Sequence, residues 1–130
     1  MKILAAIVTH NRCELLERCI NHLQKQTRLP DSILVVNNGS TDATVDMLMR
    51  RNIQYITQEN LGSAGGWNRC ISHALEHHFD AVWLMDDDGF PNPSALERLE
   101  SNLDTGTACV SSVVLREKDR ERLVFPFPVL

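Results

Sequence analysis

Three adjacent aspartates, Asp86, Asp87 and Asp88, follow the apolar run Ala81–Met85 and precede Gly89 and Pro91. Carboxylates set against a hydrophobic strand are costly to desolvate unless something compensates their charge. If strand geometry persisted through them, alternation would put Asp86 and Asp88 on one side and Asp87 on the other. Two converging carboxylates repel, and a hard divalent cation relieves that repulsion. Mg2+ or Mn2+ takes one or two protein carboxylates and completes its shell with water and phosphate oxygens. A cation held this way can neutralise a diphosphate and stabilise it as a leaving group. A solvated acidic turn would use the same residues, and spacing alone does not separate the two readings.

Other polar residues end apolar runs in the same manner. Thr9-His10-Asn11 closes the first run, Asn37-Asn38-Gly39-Ser40 the second, and Glu59-Asn60-Leu61-Gly62 follows the third. His10 offers a flat ring that could stack on a base or serve a structural role. The segment 37–42, NNGSTD, reads as a turn feeding a helix, with short side chains suited to capping. The segment 60–67, NLGSAGGW, is glycine-rich and would let backbone approach a ligand, but it matches neither the Walker pattern nor G-x-G-x-x-G. Arg69, just beyond it, is either a surface residue or one that reaches phosphate or an aspartate. The remaining histidines, His22, His73, His77 and His78, read as solvent-facing or boundary residues of helices.

The elements that must position these groups are legible as apolar periodicities. Strands are expected at 2–8, 32–36, 53–57, 81–85 and 107–114. The first, second and fourth are nearly continuous in apolarity, as in a parallel sheet covered on both faces. A helix between the first two would be capped by Asn11 with Glu14 three residues on, burying Leu15, Leu16, Cys19, Ile20 and Leu23. The next would start near residues 40–42 and turn Val45, Leu48 and Met49 inward. The third would follow Gly65-Gly66 and bury Trp67, Cys70, Ile71, Ala74 and Leu75. The fourth would open on Asn92-Pro93 and bury Leu96, Leu99 and Leu103. Alternating strands and helices give an α/β class with a mainly parallel sheet, in three layers. In such sheets ligands bind outside the carboxyl ends of the strands, where the polar and acidic residues above would gather.

Composition bounds the alternatives. The 130 residues fit one domain, 1–130. A net charge of −4 supplies no basic surface for nucleic acid, and the few aromatics are not interleaved with cations. The apolar run at the N-terminus is too short for a signal peptide, and no segment approaches a membrane span. Cytoplasmic residence is therefore expected, with peripheral attachment at the inner face of a membrane compatible with it. Cys13, Cys19, Cys70 and Cys109 show no C-x-x-C spacing and read as buried free thiols.

Four segments in order, AIVTHNR at 6–12, ILVVNNGSTDAT at 33–44, NLGSAGGWNRCISHA at 60–74 and WLMDDDGFP at 83–91, resemble the start of a family 2 glycosyltransferase with the GT-A nucleotide-sugar-binding fold. The NLGSAGGWNR and DDDGFP wording is most similar to rhamnosyl- and galactofuranosyl-transferase-like members. The resemblance implies an inverting, metal-dependent transferase using Mn2+ or Mg2+, a UDP- or dTDP-linked sugar donor, and a glycan or lipid-linked acceptor of the cell envelope. It implies that Thr9 and His10 line the base pocket, with His10 where the family usually has Tyr. Asn37 would stand where an aspartate usually contacts the base, and Arg69 would approach the nucleotide or diphosphate. Asp86 to Asp88 match the D-x-D motif: Asp88 and Asp86 would bind the metal, with Asp86 or Asp87 near the ribose. Inverting members take their general base from a later segment that this chain does not match. The resemblance therefore describes a donor-binding portion, lacking the acceptor part. A noncatalytic nucleotide-sugar-binding fragment is the alternative, and a shortened sheet would favour self-association through its exposed edge. A haloacid-dehalogenase-like phosphatase would need a nucleophilic Asp near residues 8–12, where VTHNR has none; a nucleotidyltransferase would need a glycine-rich signature after the first strand.

Overall fold

The computed structural model describes residues 1–125. Four parallel strands, β1 (Ile3–Thr9), β2 (Ser32–Asn38), β3 (Gln54–Gln58) and β4 (Ala81–Asp86), lie in the order β3-β2-β1-β4. Helices α1 (Cys13–Leu23), α2 (Thr44–Arg50), α3 (Gly62–Glu76) and α4 (Ala95–Ser101) connect or follow them. This is the expected mainly parallel α/β arrangement.

Strand alternation divides the core in two. Ile7 and Val35 pack with Leu16, Ile20 and Leu23 of α1 and with Met47 and Leu48 of α2. Leu4, Ala6, Leu34 and Val36 pack on the other face, against Cys70 and Ala74 of α3. Both faces are covered, which is why the strands read as continuous apolar runs. Each fully buried Leu or Ile contributes about 1.5–3 kcal/mol.

Several local expectations are corrected. Residues 107–114 form no strand; an isolated antiparallel bridge, Leu115 to Leu123, lies beyond them, and Val113 and Val114 are exposed. β-propensity needs a ladder to satisfy, and this segment pairs with no strand among the described residues. Asn11 does not cap α1. Its backbone is left-handed (φ 51°), and its Oδ1 accepts from the N–H groups of Thr41 and Asp42 at 2.7 and 3.3 Å. Met47, not Met49, faces inward from α2, and Met49 is 64% exposed. Helix α3 starts at Gly62, ahead of Gly65-Gly66, and turns Leu75 and Ile71 outward and His73 inward. Burial holds the His73 imidazole below its ordinary pKa, with His77 and Arg69 adding to the effect. Helix α4 starts at Ala95, three residues after Asn92, because the intervening turn is pinned by Gln26, whose Nε2 donates to the Asn92 carbonyl at 2.8 Å and whose Oε1 accepts from Leu96 N–H at 3.0 Å. All four cysteines are free. Cys109 is exposed and Cys13 is half-buried, whereas burial raises the Cys19 and Cys70 thiols to about 12 and about 11.

At the end of the sheet opposite the aspartates, Arg28 gathers the start of β1, the turn before β2, and α4. Its Nε donates to Glu100 Oε2 at 2.9 Å and its Nη1 to Asp31 Oδ2 at 3.0 Å, while Asp31 Oδ2 accepts from Ile3 N–H at 2.8 Å. The Ile3 hydrogen bond holds the Asp31 carboxyl below its ordinary pKa, and the Arg28 hydrogen bond does the same for Glu100. A carboxylate whose pKa is depressed on folding stabilises above its unfolded pKa, and that stability is lost as pH falls through the folded value. Arg28→Gln should lower stability by about 1 kcal/mol at neutral pH, discounted for partial exposure. It should also flatten the acid limb of the melting curve. Parallel melting profiles of the two proteins between neutral pH and pH ~3 check this.

Candidate functional site

The chain runs outward from β1 through β2 to β3, then returns across the sheet by α3 to place β4 on the other side of β1. The strand order reverses between β1 and β4, with α1 and α2 on one face and α3 on the other. A crevice opens outside the carboxyl ends of the strands at such a point. A cavity of about 630 Å³ occupies it, lined by Thr9, His10, Arg12, Asn38, Asn60, Gly62, Ser63 and Asp86 to Asp88, with Val8 at its floor.

The three aspartates do not share one fate. The parallel register sets Val8 beside Asp86 at the end of β4, and the chain then turns, with Gly89 N–H donating to the Asp86 carbonyl at 3.0 Å. Strand alternation therefore stops at Asp86. Asp87 swings in under the first helix and is only 4% exposed. Its Oδ2 accepts from the Thr9 hydroxyl at 2.9 Å and its Oδ1 from Arg12 Nη1 at 3.2 Å. Burial pushes the Asp87 carboxyl above its ordinary pKa, and Thr9 and Arg12 pull it back only in part. Asp86 and Asp88 remain exposed on the cavity wall, and the Asp88 carboxylate lies 3.7 Å from the same Arg12 nitrogen.

Thr9 and His10 are brought to the cavity as expected, although the Thr9 hydroxyl is spent on Asp87. The His10 Nδ1–H donates to the Asn38 carbonyl at 2.7 Å, which leaves Nε2 as acceptor, 3.3 Å from the Asn11 amide. Asn37 does not line the cavity. It is fully buried below the site, with Oδ1 accepting from Ser40 N–H at 3.0 Å and Nδ2 donating to Thr57 Oγ1 at 3.2 Å. In this conformation it positions the 37–42 turn, with both ends of its amide engaged. Its neighbour Asn38 is the cavity residue, held by Gly62 and Gln58. Arg69 is half-buried on α3 and is not part of the lining.

Sequence reasoning put the runs at 37–40 and 59–62 on the ligand rim and brought the 60–67 backbone towards a ligand, but it gave Arg12, Asn38, Asn60, Gly62 and Ser63 no individual role. The signal for Asn38 was parity: Val8, Asn38 and Asp86 fall on the α3 face, Thr9 and Asn37 on the other. Arg12 sat one residue beyond a strand end already singled out. Gly62 opens the turn into α3 with a left-handed backbone (φ 71°) and presents the first turn of that helix to the cavity. The N–H groups of a helix's first turn have no partner inside the helix and favour an anion.

Asp42 ties the supporting loops together. Its Oδ1 accepts from Thr44 N–H and Oγ1, and its Oδ2 from Cys13 N–H at 3.2 Å, so one carboxylate serves the starts of α1 and α2. Burial would raise its pKa, but these hydrogen bonds outweigh it and hold the group ionised.

This arrangement can bind a polar ligand carrying both an anionic group and a cation. Comparison with known proteins assigns the family. Residues 5–126 match the profile of the family described as glycosyl transferase family 2. The chain is 36% identical over 129 residues to galactofuranosyltransferase GlfT1 of Mycolicibacterium smegmatis, covering 95% of this chain and 43% of the relative. It is 32% identical over 80 residues to the O-antigen chain rhamnosyltransferase WbaN of Salmonella anatum, covering 60% of this chain and 25% of that one. Among solved structures it superposes on a mannosyltransferase of Pyrobaculum calidifontis, determined with GDP-Man and Mn2+, at a TM-score of 0.74 and 23% identity, over 92% of this chain and 37% of the other. The last likeness concerns the fold, which is that of GT-A glycosyltransferases, and the chain spans less than half the length of each of these relatives. With the family's profile matched along nearly the whole chain, and the aspartate turn set at the reversal of strand order, this protein belongs to glycosyl transferase family 2.

Proposed function

We propose that these residues bind the nucleoside-diphosphate sugar donor of an inverting glycosyltransferase, and that Asp86 and Asp88 would hold a divalent cation whose charge would offset that of the diphosphate. The observation that carries this reading is the split among the aspartates. Asp87 is buried and hydrogen-bonded at both oxygens, whereas Asp86 and Asp88 face a cavity in which, among the described residues, three acidic side chains stand against one lining Arg, Arg12. A diphosphate entering such a cavity is repelled unless a cation accompanies it.

The donor set fits a hard cation. Among the described residues no three acidic, His or Cys side chains converge tightly enough to hold a metal alone. Two carboxylate oxygens with open space beside them are instead what Mg2+ or Mn2+ uses when water and phosphate complete its shell. Bound there, the cation would supply charge neutralisation of the departing diphosphate. The chain's own residues do the rest. Asp87, locked by Thr9 and Arg12, fixes the turn that carries the two ligands. Gly62 and Ser63 of the first turn of α3 line the cavity, and Asn38 with the oriented His10 ring borders it on the β1–β2 side.

A UDP- or dTDP-linked donor is in keeping with relatives named for galactofuranosyl and rhamnosyl transfer. Transfer to a glycan or lipid-linked acceptor of the cell envelope also needs a general base within hydrogen-bond reach of the acceptor hydroxyl. The described residues assign none, so donor binding is the part of the reaction attributed to them, in a single domain spanning the chain.

Melting the protein with UDP-, dTDP- or GDP-linked sugars tests the proposal. A ligand at 100 times its Kd raises stability by about 2.7 kcal/mol. One nucleotide class should raise the melting temperature in Mn2+ and fail to do so in a chelator. No shift with any of the three, in either condition, would overturn it.

A further inference from the structure

Among the described residues Arg12 is the one Arg or Lys that lines the cavity, and nothing said above of the donor requires it. Its backbone sits at a rigid corner. Asn11 N–H donates to Ser40 Oγ at 2.9 Å, and the Asn11 side chain accepts from the 41–42 backbone, so the base of the Arg12 side chain is anchored to the loop after β2. Its tip reaches across to the aspartate turn. There Nη1 is 3.2 Å from Asp87 Oδ1 and 3.7 Å from Asp88 Oδ2. The two contacts are unequal: the Asp87 partner is buried and doubly hydrogen-bonded, whereas the Asp88 partner is open to solvent.

We propose that Arg12 is an exchangeable counter-ion, which neutralises Asp88 when no cation is bound and is handed to the donor's diphosphate when a divalent cation takes Asp88. This rests on the donor-site reading above. A guanidinium carries five N–H donors in a fixed fork. Anchored on Asp87, it keeps donors free to face the cavity, and fork geometry matches phosphate oxygens. A divalent cation at Asp88 and the guanidinium compete for one carboxylate, so the cation displaces the weaker contact and leaves the Asp87 anchor in place. The released donors then meet the anionic group that the same cation brings in.

The exchange makes a prediction that a purely structural role does not. In Arg12→Met, Mn2+ alone should bind more tightly, by roughly 3- to 10-fold, because a like charge beside the ligand is gone. UDP, dTDP or GDP, whichever binds the natural protein best, should bind more weakly in saturating Mn2+, by about 10-fold or more, since charge-assisted phosphate contacts are lost. Arg12→Lys keeps the charge without the fork and should fall between the two in both measurements; it also serves if the Met variant folds poorly. Free Mn2+ is read by electron paramagnetic resonance and nucleotide binding by calorimetry. Affinities for Mn2+ and nucleotide that fall together, or that both stay unchanged, would overturn the exchange. Failure of the natural protein itself to bind Mn2+, with or without nucleotide, would instead overturn the donor-site reading and the exchange with it.

Discussion

Asp88→Asn is expected to lower nucleoside diphosphate affinity in Mn2+ by about 100-fold or more and to leave the melting temperature almost unchanged. Residues that merely support a metal ligand cost roughly 10–100-fold when replaced, so loss of a ligand's own charge should cost at least that. The fold should not notice. Asp88 is exposed, its one ionic contact is with Arg12 at 3.7 Å, and it lies beyond the end of β4. Surface substitutions of this kind stay within about 0.5 kcal/mol. Asp87→Asn makes the contrast, because it disturbs the buried pairing with Thr9 and Arg12 and should change stability as well as binding. Calorimetric titration together with thermal unfolding of both variants separates the roles. Equal losses of binding with equal changes in stability would mean that the three aspartates act as one structural turn.

The largest effect on stability is expected at Gly66. This residue lets α3 lie directly on β1: a Cβ built there would stand 2.4 Å from Val8 Cγ1, 2.8 Å from Val8 Cγ2 and 3.2 Å from the Asn38 amide nitrogen. Such contacts do not occur without movement, and Val8 is on the central strand. Gly66→Leu should destabilise by about 3 kcal/mol, because its side chain would force α3 away from Val8 and β1. Gly66→Ala should cost less, about 1–2 kcal/mol, because alanine's helix propensity returns roughly 1 kcal/mol of the strain. Pairing Gly66→Ala with Val8→Ala should recover much of that loss, a coupling of about 0.5–3 kcal/mol of the kind seen between residues in contact. Chemical denaturation of the two single variants and the double variant measures it. Simple additivity of the two losses would show that the helix accommodates the extra carbon some other way.

How much of this was legible in the sequence depends on the range of the interaction responsible. Strands β1 to β4 were legible to within two residues at either end because continuous apolarity is a local signature of burial on both faces. The acidic turn was legible for the same reason: a polar triplet ending an apolar run is visible without partners. What failed was non-local. The strand expected at 107–114 has the right residue types but joins no ladder among the described residues, even beside the open edge of β4. Asn11 has the right spacing to cap α1, yet the loop at 40–42 offers its side chain better donors from thirty residues away. Gln26, seventy residues from Leu96, decides where α4 begins. Within the site, Asn37 and Asn38 are adjacent and chemically identical, and only the parity of β2 against its neighbours puts one in the cavity and the other beneath it. The division of labour among the aspartates was also hidden. It depends on a turn that interrupts alternation after Asp86, and on Thr9 and Arg12 arriving from β1 and the corner that follows it.

On the donor-site proposal, Asp86 and Asp88 would hold a divalent cation that neutralises the donor's diphosphate. The measurement that tests it most directly is a pair of linked titrations on the natural protein: nucleotide affinity with and without Mn2+, and Mn2+ affinity with and without the same nucleotide. Binding linkage requires each ligand to change the other's affinity by the same factor. A large and equal mutual tightening is expected for one of UDP, dTDP or GDP. Nucleotide binding that is the same in Mn2+ and in a chelator would contradict it.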